Sequence, residues 1–372
     1  MEITEQLALN ENSWAPITPV EAQTVVGALG EENTETVRIL ATSHRPMAAA
    51  ALVDLGSRAV FMKRYPVDMV SVRELQAKHA FVNTLAKTFP AAKMLTFADG
   101  GTTFVTDGNI YEVSERAVGE DRYKNVRSWQ PPNSVEDARE LGHTAAKLRL
   151  AAANIPTSHQ EPTSFSSPFE LAFRICEGAT AVREWVRQRP VISAYLHQRG
   201  LDFWADLQNM VKFSEQIQPL RAAKPQWSHG DLHVSNTFWD GGHISTVIDF
   251  GLATVNPPLA DLAIAIERHS IDWVQISAGR NPRSGWPDAA KAILEGYCSQ
   301  CPLGDEEEDA LSALVALSGM EFDLMMVEYA AKIPDPALAD WAYNIGFLQH
   351  NQWFCSDAGT EYLHFLRATV TK

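Results

Sequence analysis

Ser228-His229-Gly230-Asp231-Leu232-His233-Val234-Ser235-Asn236, followed by Val247-Ile248-Asp249-Phe250-Gly251, decides how this chain is read. An Asp is followed five residues later by an Asn, and thirteen after that by a second Asp. Phosphoryl transfer from a nucleotide needs such a set: a carboxylate to orient the attacking hydroxyl, and an amide with a carboxylate to hold magnesium on the phosphates. Between them, Thr237–Trp239, Asp240-Gly241-Gly242 and Ile244–Ile248 read as strand, tight turn and strand. A hairpin would return Asp249 close to Asn236, which gives the spacing a chemical meaning. The plainer alternative is that Asp231 and Asn236 make only turn hydrogen bonds.

Outward from that block the chain changes character. Thr18, Pro19 and Glu21 form a capping box ahead of a helix over 18–29. Thr36–Ala41, Ala48–Asp54 and Arg58–Tyr65 read as strands, and a helix covers roughly Val70–Lys87 before Phe89-Pro90. Strands follow around Thr102–Thr106 and Asn109–Glu115, then a connector, Ser114–Gly119. Beyond it, Asn133-Ser134-x-x-Asp137 opens a helix over Val135–Ala153, and helical pattern dominates to the end. The expected fold is α+β and two-lobed: a strand-rich lobe over 1–118, in which 1–33 is an extension with a helix, and a mainly helical lobe over 119–372. Nucleotide would sit in the cleft between them.

The 372 residues suffice for one large or two medium domains. A net charge of −15 argues against a nucleic-acid groove, which needs clustered Lys and Arg. Residues 301–372 hold twelve acids against three bases, and the run Asp305–Asp309 reads as a solvated helix start. The acidic opening, Met1-Glu2-Ile3-Thr4-Glu5, is unlike a basic signal peptide, and no unbroken apolar run approaches 18 residues. A cytoplasmic protein without a membrane partner is the expectation. Cys298-x-x-Cys301 lacks a second pair to complete a zinc site.

The chain resembles the aminoglycoside phosphotransferase and choline kinase superfamily, which shares the protein-kinase-like fold. His229-Gly230-Asp231 with Asn236, Ile248-Asp249-Phe250-Gly251 and Pro258-x-x-Asp261-Leu262-Ala263 carry the resemblance. Ser43-His44-Arg45-Pro46, Phe61-Met62-Lys63 and Tyr111-Glu112-Val113 look like the bacterial branch near homoserine-kinase-like and stress-response-kinase-like proteins. The resemblance implies ATP and Mg2+ as cofactors, Asp231 as the residue orienting the acceptor hydroxyl, and Asn236 and Asp249 as magnesium ligands. His233 would either donate to a phosphoryl oxygen or hold the loop. His229 would brace the loop, and Asp261 would either cap a helix beneath it or support the metal site from behind its ligands.

Lys63 and Arg64 point to opposite faces of their strand, and the family register places Lys63 on the α- and β-phosphates. Its partner on the next helix would be Glu74. There is no G-x-G-x-x-G loop, so Ser43, His44 and the backbone near Arg45 are the candidate phosphate donors. The backbone of Glu115 and Ala117 would read the adenine edge. For the acceptor, Glu321 and Glu328 lie on nearly one helix face and could bind an ammonium group, or could simply face solvent. The expected activity is transfer of a γ-phosphoryl group to a hydroxyl of a small molecule such as an amino alcohol, an amino sugar or a homoserine-like compound. A protein Ser/Thr kinase and a catalytically silent nucleotide-binding module are the alternatives. Leu252–Leu259 is too short for an activation loop, which favours small acceptors.

Overall fold

The computed structural model describes residues 14–31, 37–43, 48–126, 128–157, 169–333 and 335–370. Of Ser43 it describes the backbone alone. The first helix, α1 (Pro19–Ala28), begins at the expected capping box: the Glu21 N–H donates to Thr18 Oγ1 (3.2 Å) and the Thr18 N–H to Glu21 Oε2 (2.7 Å). Beside it lies an antiparallel sheet of β1 (Arg38–Ser43), β2 (Ala49–Asp54), β3 (Ala59–Pro66), β4 (Phe104–Thr106) and β5 (Asn109–Glu115), ordered β1-β2-β3-β5-β4.

Strand alternation divides this sheet between two cores. Val60, Met62, Tyr111 and Val113 pack with Val25 and Val26 of α1. Tyr65 and Ile110 join the larger core shared with the helical part. Helix α2 (Val72–Leu85) is capped by Ser71, whose Oγ accepts from the Glu74 N–H at 3.1 Å. Its Phe81 stacks on Trp227 (4.8 Å between ring centroids) and meets Phe250 edge-on (6.0 Å), so α2 is seated against the site-bearing segments.

The helical part is organised around α3 (Val135–Ala152), α4 (Ala260–Ser270), α5 (Pro287–Cys298), α6 (Asp305–Leu317) and α7 (Met320–Lys332). Ser134 caps α3 by accepting from the Asp137 N–H (3.0 Å), as its sequence predicts. Helices α3 and α5 cross at Gly142 and Gly296, where a Cβ would stand 2.0 Å from the Ile293 and Arg139 carbonyls respectively. Two short antiparallel pairs complete the site's frame: β6 (Gln226–Ser228) with β9 (Thr254–Asn256), and β7 (Thr237–Asp240) with β8 (His243–Val247).

The acidic start of α6 departs from its expected role at one position. Glu307 is gripped by Arg149 through two contacts (2.6 and 3.2 Å) and is not simply solvated. Asp305–Lys332 is apolar enough by composition to cross a membrane, yet 89% of its most apolar 18-residue window is buried inside the fold.

Candidate active site

The loop bearing Asp231 is held from below by α4. The backbone N–H groups of His229 and Gly230 donate to Asp261 Oδ2 (2.9 Å) and Oδ1 (3.0 Å). This corrects the expected cap: the residue before α4 is Leu259, which makes no side-chain cap, and Asp261 inside the first turn braces the loop. Gly230 has φ 79°, and a Cβ there would lie 2.4 Å from the Leu252 carbonyl, so neither backbone nor space admits a side chain. His229 Nε2 donates to the Ile248 carbonyl (2.8 Å) while its Nδ1 accepts from the Asp231 N–H (3.2 Å). Burial pushes His269 down to about 3, so it stays neutral, donating from Nδ1 to the Gln130 carbonyl and accepting the Val234 N–H at Nε2.

Asp231, Asn236 and Asp249 are brought together as the hairpin spacing predicts. Asn236 Nδ2 donates to the Asp231 carbonyl (3.0 Å), and the Ile248 N–H donates to the Asn236 carbonyl (2.9 Å) just before Asp249. His233 Nε2 sits between them, 3.1 Å from Asn236 Nδ2 and 3.3 Å from Asp231 Oδ2. Asp249 has φ 64° and ψ 58°, a left-handed conformation uncommon outside glycine and of the kind that concentrates at functional sites. Oδ1 of Asp231 is buried and accepts no hydrogen bond, with the Arg268 guanidinium 3.4 Å away. Burial alone would raise the Asp231 carboxyl, but His233, Arg268 and His229 together hold it well below the usual carboxylate range.

From the sheet, Arg64 turns to α1, where it pairs with Glu21 (2.5 Å), and Lys63 turns to the other face, 2.6 Å from Asp249 Oδ1. The expected Lys63–Glu74 pair is not made. Glu74 takes Lys78 one helical turn on (2.6 Å), and the buried Lys78 ammonium also donates to the Gly251 carbonyl (2.7 Å). The acid facing Lys63 across the sheet is Glu112, which binds His79 Nε2 at 2.9 Å. Burial would raise Glu112, but His79 and Lys63 outweigh it and lower it. The Ser43 side chain, His44 and Arg45 lie outside the described residues. Glu115 closes β5, its N–H bonded to the Lys93 carbonyl (2.8 Å), and Ala117 lies in the connector just before Val118, which is bonded to Thr246.

The acceptor residues expected on α7 require correction. Glu321 Oε1 accepts the N–H of Leu171 (2.7 Å), with that of Ala172 at 3.4 Å, so it serves the start of the helix Glu170–Arg174. Glu328 is half-buried, and burial raises its carboxyl against the opposing pull of Arg189 and Lys332. Two residues after Glu321, Asp323 is the acid turned towards the active-site helix α4, where Glu267 and Arg268 lie in its field. Burial, partly opposed by Arg189 and reinforced by Glu170, pushes Glu321 up to about 8. A raised carboxyl makes the fold less stable as pH rises from its ordinary value of 4.5 to about 8. Glu321→Gln keeps the acceptor oxygen and removes the proton, so thermal melting across that pH range should fall less steeply than in the parent. An unchanged slope would show that Glu321 does not titrate there.

Sequence reading gave no role to Lys78, Glu267, Arg268 or Asp323. A signal for Arg268 was present: it stands seven residues after Asp261, on the same face of α4 that meets the Asp231 loop.

The model of the phosphotransferase enzyme family matches residues 49–311, well over half of the chain. The chain belongs to that family. Among curated relatives, the homoserine kinase of Gluconobacter oxydans (strain 621H) is 28% identical over 153 residues, covering 41% of this chain and 46% of the relative. The homoserine kinase of Rhodopseudomonas palustris (strain BisA53) is 25% identical over 210 residues, 56% of each chain. The chain thus spans about half the length of the curated relatives it matches. Among solved structures, a microcompartment-associated aminopropanol kinase superposes with a TM-score of 0.55 at 15% identity, over 89% of this chain and 100% of that one. The aminoglycoside phosphotransferase of Alicyclobacillus acidocaldarius gives 0.54 at 14% identity, over 96% and 98%. The two-lobed, protein-kinase-like fold is therefore shared with these enzymes.

Proposed function

We propose that this phosphotransferase-family member is an ATP- and magnesium-dependent kinase that moves a γ-phosphoryl group to a hydroxyl of a small molecule. One observation carries the reading: Asp231, Asn236, Asp249 and Lys63 converge, with a buried Asp231 oxygen left without a hydrogen bond. That oxygen suits an acceptor hydroxyl. The acceptor oxygen forms a bond to the γ-phosphorus, the bond to the departing nucleoside diphosphate breaks, and the hydroxyl proton passes to Asp231. Asp231 is held ionised for this task, and positioning matters more than basicity in a loose transition state.

Asn236 and Asp249 offer one neutral and one anionic oxygen, a donor set that suits magnesium, a hard cation that keeps part of its water shell. Bound there, magnesium would neutralise charge on the transferred phosphoryl group. Lys63 would exchange its contact with Asp249 for the α- and β-phosphates. The backbone at Glu115 and Ala117 would receive the adenine, with residues 1–118 and 119–372 acting as the two lobes. His233 would position Asp231. Related folds solved with AMP-PNP or ADP support ATP as donor. The segment after Gly251 supports a small acceptor, since Thr254–Asn256 is already paired to β6.

A coupled assay of nucleotide consumption tests the proposal across amino alcohols, aminoglycosides, hexosamines and homoserine, with a protein acceptor as a separate arm. Magnesium-dependent consumption with at least one small hydroxylated acceptor is expected. Consumption with the protein alone, or with none, overturns it.

A further inference from the structure

Past the Asp231 loop, α4 ends in a pair of charges whose surroundings are incomplete. Arg268 lies 3.4 Å from Asp231 Oδ1 and 3.8 Å from Glu267 Oε2, its guanidinium over the Phe322 ring at 4.4 Å. Glu267 Oε1 accepts the Trp273 indole N–H (2.5 Å). Asp323 of α7 is 7% exposed, yet among the described residues its carboxylate accepts no hydrogen bond and has no ion-pair partner. A point 3.7 Å from Asp323 Oδ2 is also 3.7 Å from Glu267 Oε1, marked by where a Cβ on Gly319 would stand. A Cβ on Gly346 would fall 2.4 Å from Asp323 Oδ1. Gly346 belongs to the π-helical stretch Ala342–Gln349, a geometry frequent at functional sites.

Resting on the kinase reading above, we propose that Asp323 and Glu267 seat the ammonium group of the phosphate acceptor, and that this acceptor is an amino alcohol carrying no carboxylate. Charge decides the second half. Asp231, Glu267 and Asp323 are three carboxylates, and the one guanidinium, Arg268, faces only the first two. His233 and His229 act on Asp231, and on the other side of Arg268 the imidazoles of His269 and His350 add nothing, because burial pushes both down to about 3. A buried carboxylate without a partner is costly, so the cluster lacks a cation. A monocationic amine supplies it. A zwitterionic amino acid brings no net charge and adds a fourth carboxylate to a site whose one guanidinium already faces two.

Calorimetric titration of the full chain, without nucleotide, tests this apart from turnover. The probes are 3-amino-1-propanol, 1,3-propanediol and L-homoserine. The amino alcohol should bind at least about tenfold more tightly than the diol and homoserine. Asp323→Asn should erase that preference while its melting temperature holds or rises, because an unpaired buried charge has been removed. A merely structural Asp323 would give the reverse: retained amine binding with a lowered melting temperature. That result, equal binding of the diol, tighter binding of homoserine, or no binding of any probe overturns the proposal. Turnover of a neutral or zwitterionic acceptor would also overturn it while leaving the kinase reading intact.

Discussion

Asp231→Ala should lower turnover by about two to four orders of magnitude while leaving magnesium-nucleotide affinity close to that of the parent. The asymmetry follows from geometry. The Asp231 carboxylate faces Arg268 and His233, and its buried Oδ1 is open to an acceptor, whereas Lys63, the cation proposed for the phosphates, is paired with Asp249. The loop itself should survive the change, because its backbone is fixed by Asp261, His229 and His269 and not by the Asp231 side chain. Pre-steady-state phosphoryl transfer and equilibrium binding of a nonhydrolysable nucleotide separate the two effects. Residual transfer near the parental rate would remove Asp231 from the chemistry. A comparable loss of nucleotide affinity would show that the substitution had disturbed the metal side instead. With its carboxyl held well below the usual range, Asp231 should also remain ionised through mildly acidic pH, so an acidic limb near pH 4–5 would have to come from another group.

The parts of the site legible in the sequence were those fixed by short-range rules. The Asp231, Asn236 and Asp249 set was readable because a two-stranded hairpin, β7 and β8, converts a fixed separation along the chain into proximity. Lys63 was readable because strand period alone forces it and Arg64 apart, and the structure sends one to Asp249 and the other to Glu21. Caps at Thr18 and Ser134 were readable because their partners lie three residues on.

What escaped were choices made by tertiary packing. Glu74 had two lysines in reach, and the buried Lys78, anchored also on the Gly251 carbonyl, took it. Glu321, Asp323 and Glu328 share one helix, and sequence offers no rule for which carboxylate turns towards α4. The rotation of α7 gives Glu321 to a backbone terminus and Asp323 to the field of Glu267. Asp261 sits at a helix start, where capping is the natural reading, yet the N–H groups it accepts belong to a loop 31 and 32 residues earlier in the chain.

Asp249→Asn should produce the second large effect, with an unusual sign in its metal dependence. Asparagine is chosen because, unlike most residues, it tolerates the left-handed backbone at φ 64°, so the charge is tested without added strain. In the parent, Lys63 is held 2.6 Å from Asp249 Oδ1 and is unavailable to phosphates until a cation takes its place on the carboxylate. The asparagine variant releases Lys63 at once. Metal-free nucleotide should therefore bind at least as well as to the parent, while the tightening caused by added magnesium should largely disappear. Turnover should fall by about three orders of magnitude, since metal stabilisation of the transferred phosphoryl is worth several kcal/mol. Titrating nucleotide affinity against magnesium for both proteins reads the effect directly. A parental response to magnesium in the variant would show that Asp249 is a partner for Lys63 and not a metal ligand. Weaker metal-free binding would instead show that Asp249 orients Lys63 towards the phosphates and does not restrain it.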